Sequence, residues 1–210
     1  MKSNFRLTLL LILLTDALCA QTYITNVSVA DVVQHRWLHN QTVTISHELI
    51  TDIRPAQQAK IPANAAIVDG EGKYLIPGLI DAHIHFSQTG GLYTRPDAID
   101  LRKYKPYQEE IDWAHDHMEE VLRRYLQNGI TTVMDVGTTI NFLKHRDAFK
   151  DATYAPSIYM SGPLLTTYEP AALSNLGDDG PFSLVKTVED GLKMVQQQLQ
   201  YHPDMIKIWY

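Results

Sequence analysis

Residues 79–86 form an apolar run that carries polar side chains at alternate positions: Asp81, His83 and His85. In a β-strand alternate side chains share a face, so the two histidines point the same way, roughly 6.6 Å apart along the backbone. The other face is apolar (Ile80, Ala82, Ile84, Phe86). A strand buried on both faces is normally apolar throughout. Because two adjacent imidazoles can bind one metal ion, the pattern predicts a buried strand that ends in a metal site.

The chain after residue 75 alternates between strand and helix patterns. Helical spacing predicts helices over 107–128 and 141–150 and from 187 to about 202, and the strands are predicted over 79–86, 130–137, 157–161 and 204–210. Residues 163–182 are predicted as a long loop. Repeated β-α units indicate a parallel sheet, and polar groups at strand ends favour a (β/α)8 barrel. About four strands are present, so we expect the first half of a barrel over 75–210 and a longer full protein.

Residues 21–74 show a different pattern, with short β-branched segments separated by turn residues such as Asn26, Pro55 and Asp69. This spacing is typical of a small antiparallel sheet or sandwich. The predicted fold class is therefore α/β: a partial (β/α)8 barrel preceded by part of a small composite β-sandwich domain.

The N-terminus reads as an export signal. Lys2 and Arg6 flank the start of an apolar run over 7–14, and small residues end the segment at Ala20. This is the pattern of a secretory signal peptide over 1–20, so we expect a periplasmic or extracellular protein. Cys19 is the only cysteine of the chain, which excludes a disulfide-stapled scaffold. The formal charge of −6 gives no electrostatic case for nucleic acid or an anionic membrane.

Lys207 is the second candidate for chemistry. In a strand over 204–210, Lys207 lies on the same face as Met205 and Trp209, toward the barrel interior. Burial weakens the preference of a lysine for its ammonium form. A neutral amine can add to carbon dioxide, giving a carbamate whose two oxygens can each hold a metal ion. A salt-bridged or snorkelling lysine at a strand end is the alternative, and the spacing leaves both open.

Other positions carry weaker expectations. His115 and His145 fall within predicted helices, where helix-packing or solvated roles are expected. Three loop tyrosines are candidates to border a substrate pocket: Tyr93, Tyr104 and Tyr168. In the last helix Thr187 and Asp190 form a plausible capping pair, and helical spacing predicts a buried stripe made of Val188, Leu192, Val195 and Leu199.

Residues 77–85, Pro-Gly-Leu-Ile-Asp-Ala-His-Ile-His, closely resemble the first barrel strand of the metal-dependent amidohydrolase superfamily. Residues 129–137 resemble its second strand. Residues 204–208 resemble its fourth strand in the imidazolonepropionase-like and prolidase-like branch, where a carboxylated lysine bridges two metals. The strands before residue 75 are similar to the small β domain of that superfamily.

The resemblance implies a site. His83 and His85 would bind one metal, and Lys207, as its carbamate formed from CO2, would bridge two zinc ions in the full-length protein. Asp81 and Asp135 are candidates to orient these ligands. The general-base aspartate and further histidines are expected beyond residue 210, so this chain alone is expected to be inactive.

The implied function is hydrolysis of carbon–nitrogen bonds by a metal-activated hydroxide, in non-peptide amides, cyclic amides or small dipeptides. The substrate would be a small molecule. Two alternatives stay open: a mononuclear deaminase of the same superfamily, which has no use for Lys207 as a bridge, and a non-catalytic exported binding remnant.

Overall fold

A computed structural model describes residues 21–210 in two compact units, which divide between Pro77 and Gly78. The predicted signal peptide, residues 1–20, lies outside the described residues. Within 21–210, none of the helices combines the length and the apolar character that a membrane crossing requires.

The first unit is a five-stranded sheet. Its strands are β1 (Thr22–Asp31), β2 (Arg36–Ser46), β3 (Leu49–Pro55), β4 (Ala66–Asp69) and β5 (Tyr74–Leu75). They lie in the order β3-β2-β1-β4, and β5 also pairs with β1. The hairpin pairs are antiparallel, whereas β4 and β5 run parallel to β1. Val27, Val29 and Val43 form its small core.

The second unit alternates strands and helices, as the sequence predicts. Its strands are β6 (Leu79–Ile84), β7 (Ile130–Asp135), β8 (Ser157–Met160), β9 (Leu164–Thr166), β10 (Phe182–Leu184) and β11 (Ile208–Trp209). Its α-helices are α1 (Tyr107–Asp116), α2 (Met118–Gln127), α3 (Ile140–Arg146) and α4 (Val188–Leu199).

Two parallel sheets organise this unit, with orders β6-β7-β8 and β10-β9-β11. An isolated parallel bridge between Ser161 and Met205 joins the chain after β8 to the segment before β11. The core lies between the first sheet and the helices, where Ile84 and Val133 from the strands pack with Leu122 and Phe142 from the helices.

The helix predicted over 107–128 is interrupted at His117, which has φ −106° and ψ 14°. The carbonyl oxygen of Trp113 faces both the backbone nitrogen of His117 (3.0 Å) and its ring nitrogen Nδ1 (2.8 Å). The two rings also stack, with centroids 4.2 Å apart. A side chain that bonds its own helix backbone locally competes with regular helix geometry, and hydrophobic periodicity carries no sign of this.

The end of the chain departs further from the sequence prediction. Strand β9 lies inside the predicted loop, β10 begins at the last residue of that loop, and only Ile208–Trp209 of the predicted strand 204–210 is a regular strand. The Asp204 carboxylate accepts a hydrogen bond from the Met160 amide (2.8 Å), and the Asp204 amide donates to the Met160 carbonyl (2.8 Å). A side-chain bond therefore replaces part of the regular ladder at this point.

Helix α4 begins where predicted, and Thr187 with Asp190 forms a complete capping box. The predicted buried stripe is wrong: Val188, Leu192 and Leu199 are 74%, 62% and 52% exposed. Val188 and Leu192 line an open apolar groove together with Ile208 and Trp209. Periodicity identifies the apolar face of a helix, but burial also requires a neighbour, and no described element covers this face.

Candidate functional site

The three residues predicted as metal ligands, His83, His85 and Lys207, line one cleft of about 260 Å³ in the second unit. One wall is apolar and includes Leu164, Leu173, Pro181, Phe182 and Trp209. Polar groups also line the cleft and include Thr94, Arg95, Asp97 and Tyr107. The cleft thus offers a small molecule an apolar surface and hydrogen-bonding groups together.

The histidine strand is less regular than simple alternation predicts. Asp81 pairs with Val133 and Ile84 with Asp135, so three steps along β6 match two along β7. Such an extra residue re-aims side chains near a strand end. The Asp81 carboxylate accepts a hydrogen bond from the His83 amide (3.3 Å) within this irregularity. The two imidazoles still lie together, with ring centroids 5.4 Å apart and planes at 84°.

His85 is held by the loop that follows β7. Its Nδ1 lies 3.2 Å from the carbonyl oxygen of Gly137, so Nδ1 donates this hydrogen bond, which in the neutral ring leaves Nε2 unprotonated. A Cβ on Gly137 would lie 3.0 Å from the His85 Cε1 atom and 2.9 Å from Leu164 Cδ2. Glycine therefore leaves room for the ring so close to the backbone, since a Cβ would force the ring or Leu164 to shift.

Asp135, the last residue of β7, also helps to hold the His85 ring in this arrangement. Its side chain is fully buried and accepts hydrogen bonds from the amides of Phe86 (2.9 Å) and Gly137 (3.1 Å). Its Oδ1 also lies 3.7 Å from His85 Nδ1. One carboxylate thus links the end of the histidine strand to the loop that orients the His85 ring.

Lys207 enters the cleft from the edge of the second sheet. Its backbone carbonyl accepts a hydrogen bond from the Leu165 amide (3.0 Å), which fixes it next to β9. The ring of Trp209, two residues on, lies 5.4 Å from that of Phe182. These aromatic rings form part of the apolar wall.

The sequence patterns did not predict several of the residues that line the cleft. Arg95 forms a two-pronged ion pair with Asp97 (2.9 and 2.8 Å), and this pairing lowers the pKa of the Asp97 carboxyl. Tyr107 lines the same cleft, and its side chain is largely buried. Burial, together with the negative charges of Asp97 and Asp179, raises the pKa of Tyr107 to about 12. The phenol therefore stays protonated at neutral pH, and its hydroxyl can donate a hydrogen bond to a ligand in the cleft.

The loop tyrosines expected at the pocket do not line the cleft: Tyr93, Tyr104 and Tyr168 are 41%, 70% and 63% exposed. The aromatic residues that do line it are Tyr107, Phe182 and Trp209. Tyr107 is the first residue of a helix and follows a long loop. That position was the sequence signal that could have identified it as a cleft residue.

The chemistry of this donor set fits a divalent metal that takes imidazole ligands. Nε2 of His85 is unprotonated while its other nitrogen is held by a backbone carbonyl, an arrangement common for metal-binding histidines. Across residues 21–210, no group of three or more histidine, cysteine, aspartate or glutamate side chains is placed to hold one ion. The roles of His83, His85 and Lys207 as ligands, and of Asp81 and Asp135 as orienting groups, stay predictions.

Solved structures with a similar fold align with 90% of the residues of this chain. A prolidase complexed with N-methylphosphonate-L-proline superposes with a TM-score of 0.68 at 22% identity, over 46% of its own length. Phenylurea hydrolase B gives 0.68 at 20% identity, over 45% of its length. A putative prolidase from Bifidobacterium longum gives 0.60 at 25% identity, over 40% of its length. These matches confirm the fold class, a partial (β/α)8 barrel preceded by part of a small β domain.

Sequence comparison also finds a similar protein and a matching family. Guanine deaminase of Escherichia coli (strain K12) is 29% identical over 85 residues, which is 38% of this chain and 19% of that protein. The chain thus spans less than half the length of each of these relatives. The profile of the amidohydrolase family matches residues 74–208, which include both histidines of the cleft and Lys207. With that match extending over more than half of its residues, the chain belongs to the amidohydrolase family.

Proposed function

We propose that the protein is a metal-dependent hydrolase of carbon–nitrogen bonds in small amides, cyclic amides or dipeptides. The observation that carries the proposal is the meeting of His83, His85 and Lys207 in one cleft. Family membership and the prolidase and phenylurea hydrolase folds support this class of reaction. Because the chain spans less than half of these relatives, the proposal concerns the whole protein.

In this proposal His83 and His85 hold one divalent metal, and Lys207 holds two as its carbamate. The carbamate forms when the neutral amine adds to CO2 and releases a proton. When bound, the metals polarise the scissile carbonyl and make hydroxide available near neutral pH. Asp135 and Gly137 keep the His85 ring oriented with Nε2 toward the cleft, and Asp81 holds the His83 backbone.

The walls of the cleft suggest how a substrate is oriented. The apolar wall with Phe182 and Trp209 suits a small ring or aliphatic group. The protonated Tyr107 hydroxyl donates a hydrogen bond to a carbonyl or carboxylate oxygen, and Arg95, fixed by Asp97, presents its remaining N–H groups. Dipeptides ending in proline, which combine a ring with a carboxylate, are the first substrates to test.

The test is a hydrolysis assay on the purified full-length protein with Xaa-Pro dipeptides, N-acyl amino acids and cyclic amides. We expect a chelator to abolish hydrolysis and added Zn²⁺ to restore it. Hydrolysis that survives complete metal removal would contradict the proposal, as would a zinc-loaded protein that cleaves none of these amides.

Guanine deaminase similarity supports a second candidate, a deaminase with one metal. It predicts one bound ion per chain and ammonia release from an aminated purine, with no role for Lys207. Metal content measured by mass spectrometry, compared with release of ammonia or of an amine product, separates the two candidates.

Replacing Gly137 with alanine is expected to weaken metal binding about tenfold, at the lower end of the cost of disturbing a group that orients a ligand. The new Cβ forces the His85 ring or Leu164 to move, since it would lie 3.0 and 2.9 Å from them. Competition for Zn²⁺ with a chromophoric chelator measures the effect. Gly191→Ala is the control, because its nearest contact would be 3.5 Å; equal affinities in both variants would argue against His85 as a ligand.

We further propose export of the protein with removal of residues 1–20, on the strength of the basic, apolar and small-residue pattern there. N-terminal sequencing of the mature protein, expected to begin at Ala20 or Gln21, is the test. A mature protein that retains Met1 in the cytoplasm would overturn this part.

A further inference from the structure

Two histidines meet on the helical side of the second unit, among residues that do not line the cleft. His115 lies on α1 and His145 on α3, and their Nδ1 atoms are 3.3 Å apart. Each ring is held by an aromatic neighbour. His115 stacks on Phe142, with centroids 3.9 Å apart and planes at 16°, and His145 meets the edge of Phe149 at 4.9 Å.

A carboxylate stands behind the first histidine. Asp179 Oδ1 lies 3.7 Å from His115 Nε2, and Asp179 is fixed by the side chains of Asn141 (2.8 Å) and Gln108 (3.3 Å). A carboxylate at this position favours the tautomer with the proton on Nε2. His115 therefore presents an unprotonated Nδ1 to His145.

The surroundings favour a neutral His145 ring and a bound cation. Burial, and then the neighbouring His115, lowers the pKa of His145. Asp179 is the carboxylate that faces the pair, 3.7 Å from His115 Nε2. It places a negative charge close to the two ring nitrogens, which favours a cation between them.

The spacing of the two nitrogens matches a metal coordination edge. Zn–N bonds of roughly 2.0–2.1 Å at tetrahedral angles place two nitrogen ligands about 3.3 Å apart. We propose that His115 and His145 form a second divalent-metal site of the Zn²⁺, Ni²⁺ or Cu²⁺ class, with both Nδ1 atoms as ligands and Asp179 orienting His115. Water fills the remaining positions. His145 moves its ring proton from Nδ1 to Nε2 when the metal binds, so no proton is released overall.

A metal at this position would join two helices and a loop. His115 belongs to α1, His145 to α3, and Asp179 to the connection between β9 and β10. Two residues of that connection, Leu173 and Pro181, line the cleft. A ligand that binds only the folded state stabilises it, so the metal would raise the thermal midpoint and hold the connection in place.

The test uses protein without a histidine tag, in the His83→Gln/His85→Gln background, so that metal at the cleft does not mask the result. Zn²⁺ is the probe, and calorimetry and the thermal midpoint are the measurements. We expect one Zn²⁺ per chain and a raised midpoint. Adding His145→Gln should weaken binding more than about tenfold and remove the midpoint shift, and Asp179→Asn should weaken it about tenfold.

His117→Gln is the matched control, because that histidine lies two residues from His115, just after the end of α1, but its ring bonds to the Trp113 carbonyl instead. It should bind Zn²⁺ like the parent. Absence of Zn²⁺ binding in the parent background, or binding of equal strength after His145→Gln, would overturn the proposal. The Asp179→Asn variant keeps both rings and all packing atoms, so the proposal stays testable if the histidine variants fold poorly.

Discussion

Replacing Lys207 with methionine is expected to reduce hydrolysis about a hundredfold or more and to lower the metal content of the protein from two ions to one. Metal polarisation supplies several kcal/mol of transition-state stabilisation, and each 1.36 kcal/mol corresponds to a factor of about ten in rate. Methionine keeps the length of the side chain but cannot form a carbamate. Steady-state kinetics and metal analysis by mass spectrometry are the measurements.

Lys193→Met is the matched control, since Lys193 is exposed on α4 and does not line the cleft. It should retain full activity and metal content. A carbamate carbon signal in ¹³C spectra of wild-type protein supplied with labelled bicarbonate, absent in Lys207→Met, would identify the bridge directly. Two bound metals together with unchanged hydrolysis in Lys207→Met would rule out a bridging role.

Replacing Asp135 with alanine is expected to lower the free energy of unfolding by about 3–5 kcal/mol. The substitution leaves the amides of Phe86 and Gly137 buried without their acceptor, and hydrogen bonds to charged groups contribute roughly 1.5–3 kcal/mol each. Urea unfolding followed by circular dichroism measures the change.

Asp147→Ala serves as the control for Asp135, because the Asp147 side chain is 72% exposed and forms a surface ion pair with Arg146. Substitutions at such surface sites usually change stability by less than about 0.5 kcal/mol. Similar midpoints for the two variants would mean that the buried Asp135 carboxylate does not organise the strand ends.

The histidine pair was predictable because alternation is a local property of a strand. The period of two places His83 and His85 on one face, and their rings do meet. The irregularity of β6 was not predictable, since it depends on pairing with β7 and on the bond between Asp81 and the His83 amide. Tertiary contacts decide such details.

The same distinction explains the misses elsewhere. The spacing of Val188 and Leu192 correctly indicates the apolar face of α4, but what covers that face depends on elements distant in sequence or outside the described residues. Arg95 lies in the loop before α1, and Tyr107 is the first residue of that helix. The course of this loop leaves no periodic pattern in the sequence. His115 and His145 are 30 residues apart, and only the packing of α1 on α3 brings them together.

Asp204 has a consequence for how the end of the chain is held in place. Its carboxylate accepts from both the Met160 amide and the Arg146 guanidinium, each at 2.8 Å, just before the segment that carries Lys207. That segment has few ladder bonds of its own and docks onto β8, β9 and the end of α3. Its position therefore depends on side-chain bonds to those elements, and its amides should exchange with deuterium sooner than those of β7.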